Sequence, residues 1–448
     1  MRLKEILNHP CGFAAVFSTL ELQSSCARAD LLASEMMTDM LSLRSCQSDL
    51  KTCADAVSVS ENRPVVGRLL LKLQSLKDIH TTLSRLEAGE TLDDIELYEV
   101  KFLGMLSLEV RDLLSQLHLS GIVEIPDLEK EVDLLDPDGL RIATFCVYDS
   151  YSQELAQCRA ESRQKEGVDS ELFLKINELE LSIRKKLSAT LQPSASRLQA
   201  AQKALAQTDI LMAKARQLLA GGFCIPEISG DGATSYKGMF HPEVKSVTEA
   251  QGREYQPVDI TFDSRPTLII GANMGGKTVV LKTVALCQFL CQFGFGVPAL
   301  QAHVALKDEI HFCIGDHQSV AEGLSSFAAE IRQTDDVIRA ARKGGRLLVL
   351  LDEPARTTNP VEGTALVRGL LQVLRPLPVC LLLATHYAIP SEPGQHRLKV
   401  NGLVGDHMDY ALTEVEGDSV PLEALRVAER LNADAEWMRA AAAFLGRE

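Results

Sequence analysis

Between Pro266 and Phe293 the chain leaves its backbone few choices. Pro266-Thr267-Leu268-Ile269-Ile270 is an apolar run of strand length, Gly271-Ala272-Asn273-Met274-Gly275-Gly276-Lys277-Thr278 follows it directly, and Val279 to Phe293 reads as a helix. This is the GxxxxGK[ST] pattern in a strand–loop–helix context. Glycines let backbone amides turn toward phosphate oxygens, and a helix N-terminus adds positive dipole. The spacing predicts a phosphate cradle from Gly271, Asn273, Met274, Gly275 and Gly276, with Lys277 on the β- and γ-phosphates and the Thr278 hydroxyl on Mg²⁺.

Two later strands carry groups that such a loop can use. Arg346-Leu347-Leu348-Val349-Leu350-Leu351 is apolar and ends in Asp352-Glu353. Asp352 fits a Mg²⁺-directed carboxylate and Glu353 the base that polarises an attacking water. Alone, such a strand could simply run into a turn. Val379 to Ala384 reads as another buried strand, ending in Thr385-His386-Tyr387. A histidine at that edge of an open α/β sheet faces the ligand crevice, so His386 is a γ-phosphate sensor, although a lone histidine is more often structural. Between them lie Ile314-Gly315-Asp316-His317-Gln318-Ser319 and Gly323-Leu324-Ser325-Ser326. Hydroxyl residues that open a helix can bind an anion, but on their own these read as an N-cap.

The texture of the chain changes near Pro226. Before it, Val65 to Leu83 and Leu97 to Leu119 carry apolar residues at helical spacing, and a β-prone run spans Ile142 to Tyr148. Leu172, Ile176, Leu179, Ile183 and Leu187 form one stripe. After a break at Pro193, Leu198, Ala201, Leu205, Thr208, Met212, Ala215 and Leu219 form a second. This heptad spacing suits an antiparallel helical arm, or plain core packing. Gly221-Gly222 closes the helix. After Pro226, strands and helices alternate, as in an α/β fold. A length of 448 residues accommodates two or three domains.

The net charge of −15 argues against a protein that coats nucleic acid through global charge, without excluding a local basic groove. The densest basic cluster, Arg184-Lys185-Lys186, is interleaved with acids, as a solvated face is. The eleven cysteines form no CxxC pair, which points to reduced thiols in the cytoplasm rather than disulfides or zinc. The N-terminus has no apolar signal core, and no apolar run is long enough for a bilayer, so no membrane partner is expected.

Together, GANMGGKT, IGDHQSVAEGLSSF, LLDEPARTTNPVEGTAL and ATHY, in this order and spacing, resemble the ATPase core of the MutS family. The likeness is close over residues 226–390 and extends more weakly through Tyr148 to Leu155, similar to the approach to the family's clamp helices, and Leu205 to Pro226, similar to its lever helix. It implies an α/β ABC-type P-loop ATPase domain preceded by an all-α core, lever and clamp: a helical core over 1–150, short clamp and lever helices over 151–225, and the ATPase over 226–448. It implies ATP and Mg²⁺ as cofactors and a dimer, expected to be a homodimer, with composite sites. In these, Ser325 or Ser326 caps the γ-phosphate held by the partner subunit, Glu353 and His386 are catalytic, and Thr278 and Asp352 hold the metal. Asn359-Pro360 and Glu362-Gly363 match the loop after the acidic pair. Phe240 and His241 are positional candidates for stacking on adenine.

The motif wording is nearer to the nuclease-bearing branch of the family than to the mismatch-repair branch. A mismatch-reader domain and a C-terminal nuclease domain are both expected to be absent, and Pro354-Ala355-Arg356 stands where the family has a glycine-rich turn. Two clients fit. One is branched or recombining DNA held in the clamp. The other is a protein, as in MutS-like ATPases that reactivate cobalamin-dependent lysine or ornithine aminomutases.

Overall fold

A computed structural model describes residues 1–164, 169–271, 276–313, 326–356, 358–404, 407–417, 428 and 433–445. The residues divide into two compact units. The first comprises Met1–Leu20, Ser34–Ser48 and Gln217–Glu448, and the second Glu21–Ala33 and Asp49–Arg216.

The first unit holds every described strand, in two sheets. The smaller has four strands in the order β1 (Glu227–Ser229), β5 (Gln301–Ala305), β2 (Thr234–Met239), β3 (Val258–Phe262). The larger has six, in the order β10 (His407–Glu414), β9 (His396–Val404), β4 (Thr267–Ile270), β8 (Val379–Thr385), β7 (Leu347–Asp352), β6 (Glu309–Cys313). Its strands pair in parallel except for the antiparallel edge β10–β9. β4 and β8 are buried along their whole length, as strands covered on both faces must be. Leu347, Val349, Leu351, Leu381 and Leu383 share one core with Val337 and Ala341 of the helix Ser326–Lys343 and with Val367 and Leu371 of the helix Pro360–Leu374. The alternate residues Leu348, Leu350 and Leu382 take the other side of the pleat, and the helix Lys277–Gln292 packs against β7 and β8. That helix is buried on nearly every side.

At its far end, Gln292 and Gln288 replace backbone pairing. Gln292 Nε2 donates to the carbonyls of Met37 (2.8 Å) and Lys307 (2.7 Å), its Oε1 accepts the Lys307 amide at 3.1 Å, and Gln288 donates to Ala305 O at 3.1 Å. The Met37 amide returns to Gln292 O at 2.8 Å.

His241 is likewise built in. It caps the helix Pro242–Ala250 by accepting the Val244 amide at Nδ1, and its Nε2 lies 3.2 Å from Cys11 O. Both contacts hold only for the neutral Nε2–H tautomer. Gly12 (φ 86°) makes room, since a Cβ there would sit 2.4 Å from the ring. Burial pulls the His241 pKa below its ordinary value, against the Cys11 carbonyl and Glu243. A neutral folded form means that the unfolded chain binds more protons just below the free-histidine pKa. This contribution to stability is therefore full above about pH 6.5 and is lost as the pH falls below it. The melting midpoint, measured between about pH 7.5 and 5.5, is expected to fall with acid, and His241→Asn, which keeps a capping acceptor, should flatten that slope. An identical slope in the variant refutes the assignment.

Every described element of the second unit is helical. The stretch 65–83 is two helices, Arg63–Gln74 and His80–Glu87, and in the break between them the Asp78 side chain accepts the His80 amide at 3.0 Å. Asp94–Gln116 opens with a capping box in which Asp93 and Glu96 each accept the other's amide at 2.9 Å. The β-prone run 142–148 forms no strand. Side chains take the hydrogen bonds that a neighbouring strand would supply: Lys101 donates to Thr144 O at 3.0 Å and Arg159 to Val147 O at 2.8 Å. Lys101 is fully buried and also donates to Asp136 (3.0 Å) and to the Tyr148 hydroxyl (3.1 Å). The stripe from Leu198 through Met212 to Ala215 is buried, whereas Leu219 is exposed. The helix ends at Gly221, with Gly222 left-handed at φ 62°.

Candidate nucleotide site

Three neighbouring strands end at one level. Register pairs Ile270 of β4 with Thr385 of β8, and Ala384 with Asp352 of β7, so Gly271, Asp352-Glu353 and His386 leave the sheet together at its carboxyl edge. β4 has both β8 and β9 beside it, which makes its end the kind of switch point where ligands bind in open α/β sheets. Gly271 has φ 152°, and a Cβ there would lie 3.2 Å from Val400 Cβ. Gly276, the N-cap of the helix Lys277–Gln292, is left-handed at φ 81° and lies against the Tyr410 ring. Both positions thus carry the glycine demand read from the sequence. Asn273, Met274, Gly275 and Ser325 lie outside the described residues, as does the Ser326 side chain at the start of its helix.

Lys277 is almost fully buried. Its Nζ donates to Gly271 O at 2.8 Å and lies 3.6 Å from Glu353 Oε1. Burial pulls the ammonium pKa below the usual lysine value, and Glu353 and Asp352 oppose the pull. The Thr278 hydroxyl donates to Asp352 Oδ2 at 2.6 Å. Burial pushes the Asp352 carboxyl up, against the Thr278 hydroxyl, and Glu353 adds to the push. Asp352 Oδ1 is buried and accepts no hydrogen bond among the described residues. Thr278 spends its proton on Asp352 and keeps its lone pairs free. This donor set, hard oxygens with one orphaned carboxylate atom, fits Mg²⁺.

Glu353 sits among potential cations. His386 Nδ1 is 3.9 Å from its Oε1, and Arg356 Nη1 is 3.7 Å from its Oε2. His386 Nδ1 is buried without a hydrogen-bond partner among the described residues. The structure therefore brings together Gly271, Gly276, Lys277, Thr278, Asp352, Glu353 and His386. Of the stacking candidates, His241 is consumed by its cap, and Phe240 packs against Phe223 and under Lys245. Sequence reasoning missed Arg356, Glu330, Tyr387 and the group around Tyr410, whose amide donates to Gln256 at 3.0 Å. Only the position of Arg356, three residues after Glu353, left any local signal.

A mainly parallel sheet with this glycine-capped helix and these acids defines a P-loop nucleotide-binding domain. Residues 267–411 match the family model of MutS domain V. Relatives include an Endonuclease MutS2 of Carboxydothermus hydrogenoformans, 35% identical over 42% of this chain and 24% of its own length. A DNA mismatch repair protein MutS of Chloroflexus aurantiacus is 31% identical over 62% of this chain and 31% of its own. The same-named protein of Symbiobacterium thermophilum is 32% identical over 47% and 24%. Residues 267–411 are thus similar to domain V of the MutS family, and the chain matches about a quarter to a third of the length of these relatives.

Proposed function

We propose that the chain is an ATP hydrolase whose turnover moves the helical unit, working as a dimer with two composite sites. The observation that carries this reading is the meeting of Lys277, Thr278, Asp352, Glu353 and His386 at the carboxyl ends of β4, β7 and β8. Lys277 binds the β- and γ-phosphates, and Thr278 and Asp352 hold Mg²⁺, which when bound screens phosphate charge. Glu353 takes the proton of the attacking water, and His386 hydrogen-bonds the γ-phosphate. Ser325 or Ser326 of a second subunit completes the γ-phosphate shell. ATP and ADP then bias the helical unit through their different affinities for its states.

For the client, relatives named for DNA repair support a DNA-associated role in repair or recombination. A second reading, remodelling of a protein such as a cobalamin-dependent aminomutase, is favoured by the pairing of basic residues in the helical unit. Arg184 lies against Asp94 and Glu180, Arg159 against Asp149 and Glu180, and Lys175 against Glu154, which leaves those cations little call on phosphate. The deciding measurement is steady-state ATP hydrolysis with and without duplex, branched and single-stranded DNA, at low and physiological salt. DNA stimulation that persists at physiological salt supports the DNA reading. A basal rate indifferent to DNA sinks it and favours the protein client.

A further inference from the structure

Two residues after β7 take backbone conformations that side chains disfavour. Glu353 has φ 50° and Ala355 φ 63°, both in the left-handed region and neither a glycine. Something must hold them there, because the Glu353 carboxylate is aimed by this turn.

The contacts that hold it come from three elements. The Ala355 amide donates to Glu330 Oε1, on the helix Ser326–Lys343. The Ala355 carbonyl accepts the Tyr387 hydroxyl at 2.7 Å, from the residue after His386. Tyr387 reaches it by lying across Gly363 of the helix Pro360–Leu374, where a Cβ would be 2.3 Å from its hydroxyl oxygen. Ala355 and Tyr387 are both buried, so water is a poor substitute partner. Grasping both the amide and the carbonyl of Ala355 fixes both torsions of that residue. The Glu353 amide is itself tied to Ala384 O at 2.9 Å, which leaves the turn no slack.

We infer that Glu330 and Tyr387 are positioning residues for Glu353: together they clamp the Ala355 backbone and set where the carboxylate points. This rests on the hydrolytic reading above and adds a dependence to it. The base is aimed by the helix that opens at Ser326 and by the chain leaving β8 beside His386, so its placement follows theirs. Tyr387 also lies against the His386 ring, with centroids 4.4 Å apart, so one side chain steadies both groups.

The test uses the full chain with Tyr387→Phe, Glu330→Ala and Glu330→Gln. Hydrolysis is followed at saturating ATP, with affinity from a fluorescent ATP analogue and stability from thermal melting. Tyr387→Phe and Glu330→Ala are expected to lower kcat by about tenfold or more through a misaimed base, with nucleotide affinity unchanged and the melting midpoint lowered only by the few degrees that one lost buried hydrogen bond costs. Glu330→Gln keeps an acceptor oxygen and should recover most of the loss in Glu330→Ala. Because both groups hold one residue, the double variant Glu330→Ala/Tyr387→Phe should lose less than the product of the single effects. Unchanged kcat in an active wild-type background overturns this inference alone, as does a kcat loss that only accompanies equal losses of affinity and melting midpoint. A wild-type chain that hydrolyses no ATP overturns the hydrolytic reading and this inference with it.

Discussion

Glu353→Ala should lose turnover and keep its nucleotide, whereas Lys277→Ala should lose the nucleotide itself. The two side chains lie 3.6 Å apart, yet their surroundings assign them different tasks. Lys277 is buried and held at the end of β4 by Gly271 O, where an ammonium is suited to meet an anion. A charge-assisted contact of this kind is worth about 1.5–3 kcal/mol, so Lys277→Ala should weaken ATP binding roughly ten- to a hundredfold. Glu353 faces His386 and Arg356, and the proposed reading gives it the proton of the attacking water. Its removal should lower kcat by about 10²–10⁴-fold and leave affinity nearly intact. Equilibrium binding of a fluorescent ATP analogue beside steady-state turnover separates the two. Unchanged turnover in both variants would remove the basis for the proposed chemistry.

The largest stability effect is expected in the helical unit, at Lys101. Its ammonium is buried against Asp136, the Tyr148 hydroxyl and Thr144 O, with side-chain exposures of 1% for Lys101 and 0% for Asp136. Lys101→Met fills the same space and strands the Asp136 carboxylate without its counter-ion. Breaking one side of a buried pair costs about 3–5 kcal/mol, which for a unit of this size lowers the melting midpoint by roughly 10 °C. Adding Asp136→Asn removes the stranded charge and keeps an acceptor for the Arg141 amide, so the double variant should regain much of the loss. Burial pushes the Asp136 carboxyl up, but the Arg141 amide and Lys101 outweigh it and hold it below the ordinary carboxylate range. The stability it confers is therefore present above about pH 4 and lost as the pH falls below that. Wild-type melting of Lys101→Met would show that the pair contributes nothing.

Where the sequence carried a local signal, the site could be read from it. An apolar strand followed by glycines and Lys277-Thr278 points to phosphate, and strands ending in Asp352-Glu353 and His386 bring their polar groups to the same edge of the sheet. The helix begins at Lys277, two residues before the reading Val279, because left-handed Gly276 serves as its cap. What stayed hidden is long-range pairing of side chains with backbone. Nothing local marks Glu330 as the acceptor of an amide at Ala355, or Tyr387 as its second anchor. The run 142–148 misled for the same reason. Its β-branched and aromatic residues look like a strand, but its carbonyls pair with Lys101 and Arg159, which no short window contains.

The pairing of Gln292 with Met37 has a consequence for how the chain is made. Residues near the start of the chain close the back of the helix that carries Lys277, so the unit that surrounds the nucleotide site is assembled from segments separated by most of a domain. On the ribosome, Met37 emerges long before Gln292 exists, and during that interval Phe13, Phe17 and Leu43, all buried in the finished unit, have no core to enter. Contacts of such sequence separation close slowly, because the entropy of the long loop must be spent first. The early segment thus has to wait with these apolar side chains unburied until residue 292 has been made.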